Sequence, residues 1–135
     1  MFTHTTKIRV RYGETDQMGY MYYGNYAEFF EVGRVEMLRS LGLTYASMEV
    51  SGIMMPVLEL KCKYLKPARY DEEISVKVIM AKIPGVKIHF AYELYNEAGV
   101  LIHLGETLLA FVNMATGRPC LPNQDFLEAL KPFFE

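Results

Sequence analysis

The chain has 135 residues, 51% of them apolar, which suits one domain spanning 1–135 with a sizeable core. A formal net charge of -2 and a pI near 5.9 exclude a global basic field, and with it nucleic acid as a partner, so any anionic ligand must be held by local groups. Cys62 and Cys120 lack C-x-x-C spacing, Met1 to Lys7 holds no apolar leader core, and no apolar run approaches the roughly 18 residues of a membrane span. The expectation is a reduced, cytoplasmic chain without membrane insertion.

Ile8 to Tyr12 alternates apolar residues with Arg9 and Arg11, the pattern of a half-buried strand, and Gly13 closes it. From Tyr26 the period changes. Tyr26, Phe29, Phe30, Gly33, Met37, Leu38 and Leu41 fall at three- and four-residue steps, which predicts an amphipathic helix with Glu28, Glu31, Arg34, Glu36 and Arg39 mostly facing away. Asn25 is placed as its N-cap with Glu28 answering, and Gly42 as its C-terminal stop. Gly33 costs about 1 kcal/mol inside a helix, a cost that close packing on a sheet would offset.

After a short apolar link from Tyr45 to Val50, four strands follow: Val57 to Leu65, Ile74 to Ala81, Val86 to Leu94, and about Leu101 to Val112. Pro67, Pro84-Gly85 and Asn96 to Gly99 punctuate them. A tail helix is expected from Asn123, carrying Phe126, Leu127 and Leu130. Strands that run consecutively without intervening helices make an antiparallel sheet, so the class is α+β with the sheet wrapped around the long helix.

The loop from Gly13 to Tyr26 carries the chemistry. A helix start offers free N–H groups and a positive dipole end, suited to an oxygen that gains negative charge. Asp16 lies just before it, Gly19 and Gly24 let main chain approach a ligand, and Tyr20, Tyr22, Tyr23 and Tyr26 supply apolar walls with polar tips. Taken alone, Asp16 reads more readily as an ordinary turn residue or local cap and the tyrosines as core.

The run Asp16-Gln17-Met18-Gly19 followed by Tyr22-Tyr23-Gly24-Asn25-Tyr26 resembles the 4-hydroxybenzoyl-CoA thioesterase family of hotdog proteins. So do the helix from Phe29, the turn Leu41-Gly42-Leu43 and the stretch Tyr64 to Glu72. The resemblance implies a hotdog fold, a five-stranded antiparallel sheet around one central helix, and an acyl-CoA thioesterase. It assigns Asp16 as nucleophile or general base and the Tyr23 backbone amide as the group that polarises the thioester carbonyl. Gly19, Tyr22, Asn25 and Tyr26 become substrate contacts. Tyr23 stands where the tol-pal-linked branch carries His and the aromatic-acyl branch carries an aromatic residue, so the acyl group stays open.

Lys63 and Lys66, within the local cluster Lys61, Lys63, Lys66 and Arg69, are candidates for the phosphates of coenzyme A, against the alternative of a solvated strand face. His89 and His103 stand alone on strands, so no metal is expected and no cofactor beyond the coenzyme A of the substrate. A hydratase would need a His in the Asp16 loop, which has none. A non-catalytic acyl-CoA or acyl-carrier-protein binding module has no need of Asp16. One helix covers one sheet face only, and the family implies a homodimer or homotetramer with the site at the subunit boundary, where residues near Ile53 to Pro56 and the strand from Val86 would come from a second chain.

Overall fold

The computed structural model describes residues 1–135. Strand β1 (Phe2–Arg9) leads through the Asp16 loop into helix α1 (Tyr26–Ser40). Then come a short helix α2 (Tyr45–Val50), β2 (Ile53–Met54), β3 (Val57–Tyr64), β4 (Glu73–Met80), β5 (Lys87–Tyr95), β6 (Leu101–Ala110), β7 (Val112–Asn113) and the tail helix α3 (Gln124–Leu130). Five strands form one sheet in the order β1-β4-β5-β6-β3, every pair antiparallel, while β2 and β7 form a small ribbon.

The inner face of this sheet follows from alternation. Ile74, Val76, Val78 and Met80 of β4 and Ile88, Phe90, Tyr92 and Leu94 of β5 are all buried, and they pack with Phe29, Phe30, Met37 and Leu38 of α1 into one core cluster. Phe30 stacks on Tyr92 with ring centroids 4.1 Å apart. Two glycines permit this approach. A Cβ on Gly33 would lie 2.8 Å from a methyl of Val78, and one on Gly105 would lie 2.2 Å from the Phe30 ring. Gly33 therefore has the packing role its sequence position implied. Gly42 adopts φ +80, and the amide of Leu43 returns to the Leu38 carbonyl, closing α1 as expected.

Several boundaries differ from the sequence reading. β1 runs from Phe2 to Arg9 rather than from Ile8 to Tyr12, because His4 and Thr6 occupy inward positions that carry no apolar signal. Tyr12–Glu14 is a 3-10 turn. Asn25 holds the N-cap position of α1 as expected, but its side chain makes no capping bond: it is the last residue of a 3-10 turn (Tyr23–Asn25), its backbone is helical, and its side-chain amide donates to the Glu14 carbonyl at 2.9 Å. The Tyr45–Val50 link is a helix, begun by a Thr44–Ser47 capping box. Arg34 points inward, where Nη1 donates to the Tyr92 hydroxyl at 2.8 Å and Nε to the Tyr45 hydroxyl at 3.2 Å. The last strand stops at Ala110, two residues before the expected end. The tail helix forms as expected, with the Asn123 side chain accepting from the Phe126 amide.

β3 has one neighbour in the sheet, β6, so its outer edge is unpaired. Its inward residues Leu58 and Leu60 remain 50% exposed because α1 covers the opposite end of the inner face, nearest β1 and β4.

His103 on β6 is fully buried against Tyr26, its ring stacked at 4.2 Å, and neither ring nitrogen has a hydrogen-bond partner. Burial pushes its pKa down to about 4. With the folded value below the unfolded one, the unfolded chain binds this proton first. Stability contributed by neutral His103 is whole above about pH 6.5 and is lost as pH falls toward about 4. Chemical denaturation across that window should show a steeper loss for the wild type than for His103→Leu; parallel pH profiles would contradict the burial argument. Overpacking gives a second expectation. Gly105→Ala should destabilise the fold by about 1–3 kcal/mol in urea titration, since the Phe30 ring has no room to retreat from the sheet.

Candidate active site

The loop that presents Asp16 is held at its base by Glu14. This buried carboxylate accepts the Arg11 amide at 2.8 Å and the Arg11 guanidinium at 3.1 Å. Burial works to raise its pKa, but the hydrogen bonds and charge of Arg11 outweigh that and lower it. The Glu14 carbonyl accepts two further bonds, from the Tyr22 amide at 2.7 Å and the Asn25 side chain at 2.9 Å. One residue thus ties the start of the loop to the start of the helix.

Between these ties the chain folds back on itself, with Thr15 bridged to Met21 and the Asp16 amide donating to the Tyr20 carbonyl at 2.8 Å. Asp16 Oδ1 accepts from the amides of Met18 at 2.9 Å and Tyr20 at 3.2 Å, an Asx-turn that fixes the carboxylate. Gly19 closes the turn at φ +77, a conformation that favours glycine. The Met21 amide donates to Ala68 at 2.7 Å, and the Arg69 guanidinium stacks 4.9 Å from the Tyr20 ring centre. The loop is docked on the β3–β4 connection, and Asp16 Oδ2 makes no hydrogen bond.

Asp16 opens on a cleft of about 280 Å³ whose walls include Met18, Tyr23, Tyr26, Tyr64 and Lys66. Tyr64 joins the strand to the helix start: its hydroxyl donates to the Tyr23 carbonyl at 2.8 Å, and its ring meets Tyr26 edge-on at 5.1 Å. Burial, followed by the neighbouring Cys62, pushes the Tyr64 phenol up to about 12, so it stays a donor. Behind Tyr26 and Tyr64 lies His103, which makes a rigid aromatic backing. The Tyr23 amide opens the 3-10 turn that runs into α1, where first-turn amides have no intrahelical acceptor. Burial raises the Cys62 thiol pKa, which disfavours the thiolate a sulfur nucleophile requires. No group of three or more His, Cys, Asp or Glu side chains is placed to hold a metal.

Asp16, Tyr23, Tyr26 and Lys66 therefore come together as cleft residues. The other candidates lie elsewhere. Gly19 shapes the turn, and Tyr22 lies half-exposed outside the cleft, its ring tilted against that of Tyr23 at 4.6 Å. Asn25 is occupied by Glu14. Lys63 alternates away from Tyr64 onto the outer sheet face, beside Glu93 and Leu104, so the structure does not bring it to Asp16 within one chain. Sequence reasoning missed Tyr64 as a cleft wall, although its place two residues past Cys62 on the apolar side of β3 marks it as inward.

Residues 10–130 match the model of the thioesterase-like superfamily. A Bacillus subtilis protein named "Putative acyl-CoA thioesterase YneP" is 40% identical over 101 residues, 75% of this chain and 73% of its own. Escherichia coli acyl-CoA thioester hydrolase YbgC is 26% identical over 112 residues, 83% of this chain and 84% of its own. The crystal structure of a DHNA-CoA thioesterase from Staphylococcus aureus superposes with a TM-score of 0.92 at 38% identity, covering 98% of this chain and 91% of that one. With its helix wrapped by a five-stranded antiparallel sheet and this match over most of its length, the chain belongs to the thioesterase-like superfamily, the hotdog-fold thioesterases.

Proposed function

We propose that the protein hydrolyses acyl-CoA thioesters, with Asp16 as the reacting carboxylate. The observation that carries this reading is the Asp16 side chain, fixed through Oδ1 by two amides while Oδ2 stays free at a cleft shared with the opening of the α1 turn. The kinship with thioesterases selects the thioester as the bond that such a cleft would cleave.

In the general-base route, Oδ2 takes a proton from water while the water oxygen attacks the thioester carbonyl carbon. Negative charge then builds on the carbonyl oxygen, where the Tyr23 amide donates to it and the start of α1 adds its dipole. Collapse breaks the C–S bond, releasing the free acid and the thiolate of coenzyme A, which takes up the proton held on Oδ2 and so restores the Asp16 carboxylate. In the nucleophilic route, Oδ2 attacks the carbonyl carbon itself and the C–S bond breaks, expelling the thiolate of coenzyme A; water then hydrolyses the mixed anhydride, releasing the acid and restoring the Asp16 carboxylate. Tyr26, Tyr64 and Met18 form the apolar wall against the acyl group, and Lys66 at the mouth attracts the nucleotide phosphates. No metal or other cofactor takes part.

Assembly completes the proposal. The unpaired edge of β3, with Leu58 and Leu60 half exposed beside it, suits a second copy that extends the sheet and covers both leucines. A homodimer follows, with a tetramer as its doubling.

Asp16→Asn keeps the Asx-turn acceptor and should fold normally while losing at least about a hundredfold in kcat on acyl-CoA, measured by free-thiol release; EDTA should leave the wild-type rate unchanged. Near-native turnover by the variant would remove Asp16 from the mechanism, and metal-restored activity would overturn the cofactor-free scheme. Sedimentation at micromolar concentration should show a dimer or larger, whereas a fully active monomer would defeat the β3 interface.

A further inference from the structure

The turn that carries the Tyr23 amide has little packing of its own. Tyr22 and Tyr23 are 45% and 65% exposed, and the two rings meet each other at 4.6 Å. Glu14 holds the turn from the loop side, through the bonds its carbonyl accepts from Tyr22 and Asn25. From the sheet a single hydrogen bond reaches it, donated by the Tyr64 hydroxyl to the Tyr23 carbonyl at 2.8 Å.

Tyr64 is the last residue of β3 and half exposed, so its backbone alone would leave the ring free to swing into solvent. Two other rings prevent this. Tyr26, the first residue of α1, and His103, opposite Tyr64 on β6, stack on each other at 4.2 Å with their planes 19° apart. The Tyr64 ring stands edge-on to both, 5.1 Å and 88° from Tyr26 and 4.8 Å and 75° from His103, contacts that favour one orientation. Phe30 lies behind His103 at 5.6 Å, which rests the group on the core. Neither His103 nitrogen has a hydrogen-bond partner, so His103 contributes a flat ring and no polar contact. The hydroxyl is thereby aimed, and burial, which pushes the phenol up to about 12, keeps it a donor.

We propose that Tyr64 is a positioning residue for thioester hydrolysis: braced by Tyr26 and His103, its hydroxyl holds the Tyr23 turn where the Tyr23 amide can meet the developing oxyanion. In this role it touches no reacting atom. The proposal rests on the reading of Asp16 and the Tyr23 amide as the reacting groups. An oxyanion donor acts where charge develops in the transition state, so a turn that is free to shift loses rate while substrate affinity stays.

Tyr64→Phe keeps the ring and deletes only the hydroxyl. It should lower kcat on acyl-CoA about ten- to a hundredfold, the scale of a misplaced oxyanion contact, with KM within about twofold of wild type. The urea midpoint and the sedimentation of the assembly should be unchanged. The ratio of wild-type to variant kcat should stay flat between about pH 6 and 9, where the phenol keeps its proton. NMR of the free chain reads the same bond without turnover: the Gly24 amide proton, in the peptide whose carbonyl Tyr64 holds, should move upfield in the variant. The proposal is overturned by wild-type kcat in Tyr64→Phe, by a loss carried in KM, by a lowered midpoint or smaller assembly, by a pH limb missing from the variant, or by an unmoved Gly24 signal. Near-native turnover by Asp16→Asn would overturn the Asp16 reading alone, and a Tyr64→Phe chain at full rate beside an inactive Asp16→Asn would overturn this proposal alone.

Discussion

Everything functional in this molecule depends on how closely α1 lies on the sheet. Gly33 on the helix and Gly105 on β6 remove the two side chains that would hold them apart, and Phe30 fills the space left over Gly105. That contact sets the helix axis, and the axis sets where its first turn emerges. The Tyr64 hydroxyl then fastens the Tyr23 turn to the β3 edge. The core is in this sense the ruler against which the cleft is built.

The second constraint is local. Glu14 uses its carboxylate to hold Arg11 and its carbonyl to hold Tyr22 and Asn25, so a single buried residue fixes both ends of the Asp16 loop. Glu14 is shielded from solvent while Asp16 keeps one oxygen free at the cleft. Two acids two residues apart thus take opposite roles, one as an anchor within the backbone and one as a presented group.

Much of this is legible in the sequence, for identifiable reasons. The strands β4 and β5 alternate without interruption, and α1 carries its apolar face and terminal glycine in plain sight, so the α+β order and the helix-in-sheet architecture follow from periodicity. The Asp16–Tyr26 loop is legible through its motif more than its chemistry, since an aspartate before a helix is ordinary in itself. What periodicity hides is polar residues used inside. His4 and Thr6 conceal the first half of β1, and Arg34 reads as a solvent residue because its helical spacing says nothing of the two phenols, 11 and 58 residues away, that receive it. Asn25 has the composition of a cap, yet its partner is a carbonyl 11 residues earlier, a long-range bond no local rule contains. Lys63 and Lys66 look alike in sequence; strand alternation sends Lys63 to the outer face, while Lys66, beyond the strand end, turns into the cleft.

The central claim is that a thioester carbonyl sits between Asp16 and the opening of α1. A crystal structure with a non-hydrolysable acyl-CoA thioether ketone tests it most directly. The account predicts the ketone oxygen about 3 Å from the Tyr23 amide nitrogen, within hydrogen-bond range, with the carbonyl carbon facing Asp16 Oδ2. An analogue bound with its carbonyl outside this cleft, and with Asp16 turned from it, would contradict the account.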